Sequence, residues 1–191
     1  MSQQTPELQS DPAAGTSDIA VRRTRLREFQ SRLVERMQTA RSGEHAQTSR
    51  LGLMIGKGRW LVDLQTAGEI VPVGAITKVP LTQPWFLGLT NIRGNLISVI
   101  DFAHFIGQPP SPIDKDCRIV AFSPALSINS GLLVSRVLGL RNTAEMHVEA
   151  DTEPGAAPWA GRRYVDRESH VWTELDLSSV VHAPQFQQVG A

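Results

Sequence analysis

Apolar residues change their spacing once along this chain, near residue 50. Before that point Leu26, Phe29, Leu33, Val34, Met37 and Ala40 recur at helical intervals with arginines on the other faces. The spacing predicts a helix from about 19 to 41, capped by Ser17 or Asp18 and ended by Ser42-Gly43, with a polar linker to Ser49. Residues 1–18 are rich in Gln, Ser, Pro and Ala and read as a disordered tail. From Arg50 the helical period gives way to short apolar runs separated by turn residues. Leu51 to Ile55 and Arg59 to Leu64 form a hairpin across Gly56-Lys57-Gly58. Glu69 to Val73 is a short extended piece, and Pro80 and Pro84 bracket a loop that leads into one helical turn at Trp85 to Leu87. Leu89 to Ile92 and Leu96 to Ile100 make a central hairpin, in which Gly94-Asn95 suits a two-residue turn with positive φ. Asp101 caps a short helix to Phe105, closed by Gly107.

The second half has the same style. Arg118 to Phe122 and Gly131 to Leu138 are strands, and Thr143 to Pro158 is a long polar connection. Arg162 to Val165 and His170 to Leu175 form a last hairpin, and Asp176 caps a final turn before a tail at 183–191. The pattern predicts a mainly β chain with two groups of about five strands, for which small closed barrels are the natural solution. The expected organisation is a tail (1–18), a basic helix with linker (19–49), one domain (50–182) in approximate halves 50–110 and 117–182, and a C-terminal tail.

Composition narrows the function classes. The 19 basic and 19 acidic residues cancel over the 191-residue chain, so net charge favours no polyanionic partner. The arginine excess is confined to the predicted helix, where Glu28 and Glu35 interrupt it; packing on a partner or on the domain suits that segment better than nucleic acid or an anionic membrane. The N-terminus lacks a secretory pattern and no apolar run has membrane-spanning length, so a cytoplasmic protein without membrane insertion is expected. A single cysteine, Cys117, excludes an internal disulfide.

Chemistry is hard to find. There is no phosphate-binding glycine loop, no nucleophile elbow and no HExxH, and the five histidines lack metal-ligand spacing, so neither metal nor cofactor is expected. Cys117 beside Arg118, and Asp101 three residues before His104, are the remaining candidates for catalysis, and a small strand residue and a helix cap explain them without it. A binding module fits better than an enzyme. Its most informative segment is 79–102, where a proline-bounded loop carrying Trp85 and Phe86 precedes a corner with one charge, Arg93, between two apolar strands. Read alone, Arg93 suits a solvated turn as well as a site, with Glu69 as its sharpest candidate partner, and Trp85 and Phe86 suit the core as well as an interface.

The motif Pro80, Pro84-Trp85, Gly88-Leu89-Thr90-Asn91-Ile92-Arg93-Gly94, then Ser98-Val99-Ile100-Asp101, resembles the central signature of CheW-like domains; Glu69-Ile70, Gly131 to Val134 and Leu175-Asp176-Leu177 match weaker positions. Ser98, Phe102 and Ser135-Arg136 depart from the usual pattern, and Arg162 to Asp166 lies outside it. The resemblance implies two intertwined five-stranded SH3-like barrels with an apolar groove between them. It implies an adaptor that joins the cytoplasmic tip of methyl-accepting chemoreceptors to the regulatory domain of a CheA-type histidine kinase. The added N-terminal segment is similar to coupling proteins of the type IV pilus (twitching motility) branch; flagellar chemotaxis or second-messenger control is the alternative output. The same resemblance pairs Arg93 with Glu69 and puts Glu69, Trp85, Phe86, Gly88, Asn91, Arg93, Gly94 and Val99 at the partner surface.

Overall fold

The structure, a computed structural model, describes residues 48–150 and 156–190. The tail at 1–18 and the helix expected at 19–41 lie outside the described residues.

Among the described residues, eleven strands form two sheets. The first contains β1 (Ser49–Ile55), β2 (Gly58–Asp63), β8 (Arg136–Asn142), β9 (His147–Ala150), β10 (Ala160–Val165) and β11 (Val171–Leu175), in the order β8-β1-β2-β11-β10-β9. The second contains β3 (Ala67–Pro72), β4 (Phe86–Ile92), β5 (Asn95–Asp101), β6 (Arg118–Phe122) and β7 (Ser130–Val134), in the order β3-β6-β7-β5-β4. Among the described residues, three short α-helices accompany the sheets: α1 (Phe102–Phe105), α2 (Leu177–His182) and α3 (Pro184–Gln187).

Neither sheet is a contiguous half of the chain. Each joins strands from both halves through one parallel pair, β2 with β11 and β5 with β7, and one antiparallel pair, β1 with β8 and β3 with β6. The run from Gly131 to Leu138, expected as one strand, bends at Ser135 and passes from the second sheet into the first. The two groups therefore hold six and five strands, not five each, and they are intertwined.

Side-chain alternation explains why the central strands read as unbroken apolar runs. On β6, Ile119 and Ala121 enter a core shared with Ile92, Ile97, Val99, Cys117 and Leu133, inside the five-stranded sheet. Val120 and Phe122 point the other way, into a larger core with Leu53, Val62, Ile100, Leu132 and Leu175 that both sheets share. A strand buried on both faces has no polar face to show. The first sheet repeats the arrangement, with Leu61, Tyr164 and Trp172 in a small core of its own.

The C-terminal residues correct the expectation of a tail at 183–191. Phe186 of α3 is 3% exposed and stacks near Trp85 and Phe122, at ring-centroid distances of 6.2 and 6.3 Å. An aromatic ring that reaches a shared core orders the segment that carries it. The helical turn expected at Trp85 to Leu87 is likewise replaced: Phe86 already begins β4. The polar connection from Thr143 contains a 3-10 turn, Thr143–Glu145, and the edge strand β9.

One partly buried polar group holds the turn between β10 and β11. Asp166 accepts hydrogen bonds from Trp172 Nε1 at 2.8 Å and from the amides of Glu168 and His170 at 2.9 Å each. The Trp172 ring is fully buried, with the guanidinium carbons of Arg59 and Arg141 5.6 and 5.0 Å from its centroid. Burial alone would push the Asp166 carboxyl up, but the donors from Trp172, His170 and Glu168 and the nearby His170 ring bring it down to about 2. The folded state thus favours the ionised form. Its contribution, roughly 2 kcal/mol, is fully present above the unfolded pKa near 4 and is lost as pH falls toward 2. Urea unfolding from pH 7 to pH 2 is expected to show Asp166→Ala less stable than the wild type by about that amount at pH 7, with the gap closing below pH 4.

Candidate functional site

The site begins with a two-residue turn. Ile92 pairs with Asn95, leaving Arg93 and Gly94 as the loop, with φ of 48° and 89°. Positive φ at both positions is the type I′ pattern that matches the twist of a hairpin. The turn is therefore Arg93-Gly94, one residue earlier than the expected Gly94-Asn95. Asn91 Oδ1 accepts from the Gly94 amide at 2.8 Å and holds the turn. Arginine in this conformation costs about 1 kcal/mol that glycine would not, so its side chain has a reason to be there.

That reason is visible in the ion pair. Arg93 Nε lies 2.8 Å from Glu69 Oε1. β3 and β4 are the two edges of the five-stranded sheet, so the pair spans the seam where that sheet curls toward closure. Two further contacts cross the same seam: Thr77 and Leu89 exchange backbone hydrogen bonds at 2.8 and 2.9 Å, and Thr90 Oγ1 donates to the Ala75 carbonyl at 2.9 Å. Arg93 is 80% exposed and Glu69 33%, so water screens the pair and it stabilises the fold by less than about 1 kcal/mol. The estimate for a buried bridge does not apply. A depression of about 270 Å³ opens beside it, lined by Glu69, Val71, Thr90, Ile92, Arg93 and Ile119. All of these residues except Arg93, which is in the β4–β5 turn, lie on strands of the five-stranded sheet, so the depression lies at its seam and not between the two sheets.

The other predicted residues fall into three positions. Asn91, Arg93 and Gly94 are exposed at the corner. Gly88 is buried at a bulge with φ 132°, where an added Cβ would lie 2.2 Å from the Thr77 carbonyl oxygen. Its part is to let β4 pass the segment after β3. Val99 is fully buried among Ile97, Ile119 and Leu133 and cannot touch a partner in this structure; strand alternation turns it inward. Trp85 and Phe86 are half-buried against the shared core, with Trp85 edge-on to Phe105 at 5.2 Å. Their open alternative resolves toward packing.

The candidates for catalysis occupy structural places. Asp101, 1% exposed, accepts from the His104 amide as a helix cap and from both the amide and the hydroxyl of Ser111, at 2.7 and 2.8 Å. Sequence reading anticipated the cap but not Ser111, because a loop partner ten residues away leaves no periodic signal. Cys117 is 1% exposed, and burial pushes its thiol up, which disfavours the reactive thiolate. Arg118 turns its Nη1 to the carbonyls of Lys115 and Cys117 at 2.8 and 2.7 Å and not to the sulfur. Asp166, Glu168 and His170 do converge, with His170 Nδ1 3.4 Å from each carboxylate, within one tight turn.

Comparison with known proteins agrees with this geometry. A family profile described as CheW-like domain matches residues 50–185. Protein PilI of Pseudomonas aeruginosa is 28% identical over 94 residues, which cover 49% of this chain and 52% of that protein. The chain thus aligns with about half the length of this curated relative. The crystal structure of the scaffolding protein TtCheW from Thermoanaerobacter tengcongensis is similar in fold, with a TM-score of 0.58 at 20% identity, over 68% of this chain and 84% of that one.

Proposed function

The chain belongs to the CheW-like family, and from this premise we propose that it is a non-enzymatic adaptor. It joins the cytoplasmic tip of methyl-accepting chemoreceptors to the regulatory domain of a CheA-type histidine kinase, in an array that controls type IV pilus twitching motility. The observation that carries this reading is the Glu69–Arg93 pair across the seam of the five-stranded sheet. It contributes little to stability, yet it occupies a turn whose backbone disfavours arginine. An exposed charge pair at a depression lined by both apolar and polar residues suits recognition, where a few fixed polar groups orient a partner. The buried settings of Asp101 and Cys117 support an adaptor without chemistry of its own. Similarity to Protein PilI supports the pilus branch.

The protein acts at the cytoplasmic face, on receptors that supply the membrane anchor; among the described residues no helix is long and apolar enough to cross a membrane. Glu69, Asn91, Arg93 and Gly94 form the outer part of the docking surface, while Gly88 lets β4 pass the segment after β3, and Trp85 and Phe86 pack on the shared core at the other end of β4. The coupling domain begins near residue 50 and includes the C-terminal segment whose Phe186 packs in the shared core. Sedimentation of a receptor fragment with the kinase regulatory domain tests the reading. Addition of the full chain is expected to bring all three into one complex at micromolar concentrations. A chain that binds neither fragment overturns it.

A further inference from the structure

The turn between β10 and β11 gathers side chains that bind metals, one on every second residue. Among the described residues, Asp166, Glu168 and His170 are the one group of three such side chains whose ligand atoms all lie within 4.8 Å of one another. The backbone sets them so. The Asp166 amide donates to the His170 carbonyl and the Ser169 amide to the Asp166 carbonyl, at 3.0 Å each. The Asp166 carboxylate is fixed from behind by buried Trp172, whose Nε1 donates to Oδ2 at 2.8 Å. A carboxylate braced by such a hydrogen bond is oriented as a metal ligand needs to be.

The imidazole carries an independent observation. His170 Nδ1 is shielded from solvent and makes no hydrogen bond, although the side chain as a whole is 36% exposed. A buried polar atom without a partner costs folding free energy and calls for an explanation, an ion among them. Nδ1 lies 3.4 Å from Asp166 Oδ2 and 3.4 Å from Glu168 Oε2, yet bonds to neither. Zinc bonds of about 2.0–2.2 Å at tetrahedral angles set neighbouring ligand atoms about 3.3–3.6 Å apart. Nδ1 already has that separation from both oxygens. The Glu168 side chain is 80% exposed, so rotation about its own bonds closes the third side of the triangle.

Charge and access agree. Two carboxylates and a neutral imidazole balance one divalent cation. An imidazole ligand favours zinc over magnesium and calcium, which take oxygen ligands. The nearby cations are engaged elsewhere: Arg167 Nη2 lies 3.3 Å from Glu145 Oε2, and Arg141 Nη2 donates to the Leu138 carbonyl at 3.3 Å. Asp166 and Glu168 line a depression of about 340 Å³, which gives an ion its route from solvent. We propose that Asp166, Glu168 and His170 form a binding site for one zinc ion, which clips the exposed end of the β10–β11 turn to the carboxylate that Trp172 holds. Three protein ligands leave a fourth coordination position to water. The site is independent of the adaptor reading, and neither falls with the other.

The probe is zinc chloride alone, titrated calorimetrically into the full chain near neutral pH. The wild type is expected to take up one zinc at this site with a micromolar dissociation constant, and to melt several degrees higher in millimolar zinc. Glu168→Gln changes an exposed side chain and is expected to melt like the wild type without metal. This variant and His170→Ala are each expected to bind zinc at least tenfold more weakly and to lose the rise in melting temperature. Magnesium chloride is expected to give neither heat nor shift. A wild type that shows no zinc binding overturns the inference. Unchanged zinc binding in either variant also overturns it, by placing the ion on other residues. Magnesium binding as tight as that of zinc overturns it too, by reducing the cluster to a pair of carboxylates that attracts any cation.

Discussion

Gly88→Ala is expected to lower the unfolding free energy by about 3 kcal/mol. Two costs combine. A φ of 132° is a conformation that only glycine adopts readily. The new methyl would also lie 2.2 Å from the Thr77 carbonyl oxygen and 2.7 Å from its carbon, both backbone atoms that cannot rotate away. The segment after β3 must move off β4, and the two Thr77–Leu89 hydrogen bonds weaken with it. Gly94→Ala provides the control. It has φ 89° but nothing within 4 Å of an added Cβ, so only the torsional cost of about 1 kcal/mol applies. Guanidinium unfolding of both variants separates the cases. A loss below about 1 kcal/mol for Gly88→Ala would show that the seam is slack enough to admit a side chain.

Much of this architecture was legible in the amino-acid sequence, and the gaps have physical causes. The hairpin of Leu51 to Leu64, the corner at Arg93 and the cap at Asp101 are local, and turn residues and short apolar runs announce local structure. Pairing between halves is not local. Nothing in Leu132 or Val99 says that β7 lies parallel to β5, or that the apolar run through Ser135 changes sheets. Phe186 looked like tail because one aromatic among glutamines has no periodicity, though it packs in the shared core. At the site, the two residue types that form the ion pair could be named from the sequence, together with their order. Its exposure could not, because that depends on where the seam of a curled sheet falls. Val99 was misplaced for a related reason: a signature marks which residues recur together without separating those that touch a partner from those that support the strand beneath.

The second large effect concerns assembly. A pair worth under about 1 kcal/mol to folding can still set how a docking surface is held. Arg93→Glu places two carboxylates at the seam where one salt bridge stood, and Glu69→Arg places two cations there. Each single reversal is expected to move the melting temperature by only a few degrees. Each is also expected to weaken ternary assembly with receptor fragment and kinase regulatory domain at least tenfold, because the seam edge that presents the corner is no longer braced. The double reversal, Glu69→Arg with Arg93→Glu, restores opposite charges across the same gap. A quantitative sedimentation titration of the three components with wild type, both single variants and the double variant is the most direct measurement. The account predicts loss in each single variant and recovery of most of the affinity in the double. Single variants that assemble like the wild type, or a double variant as weak as the singles, would contradict the bracing role of the Glu69–Arg93 pair.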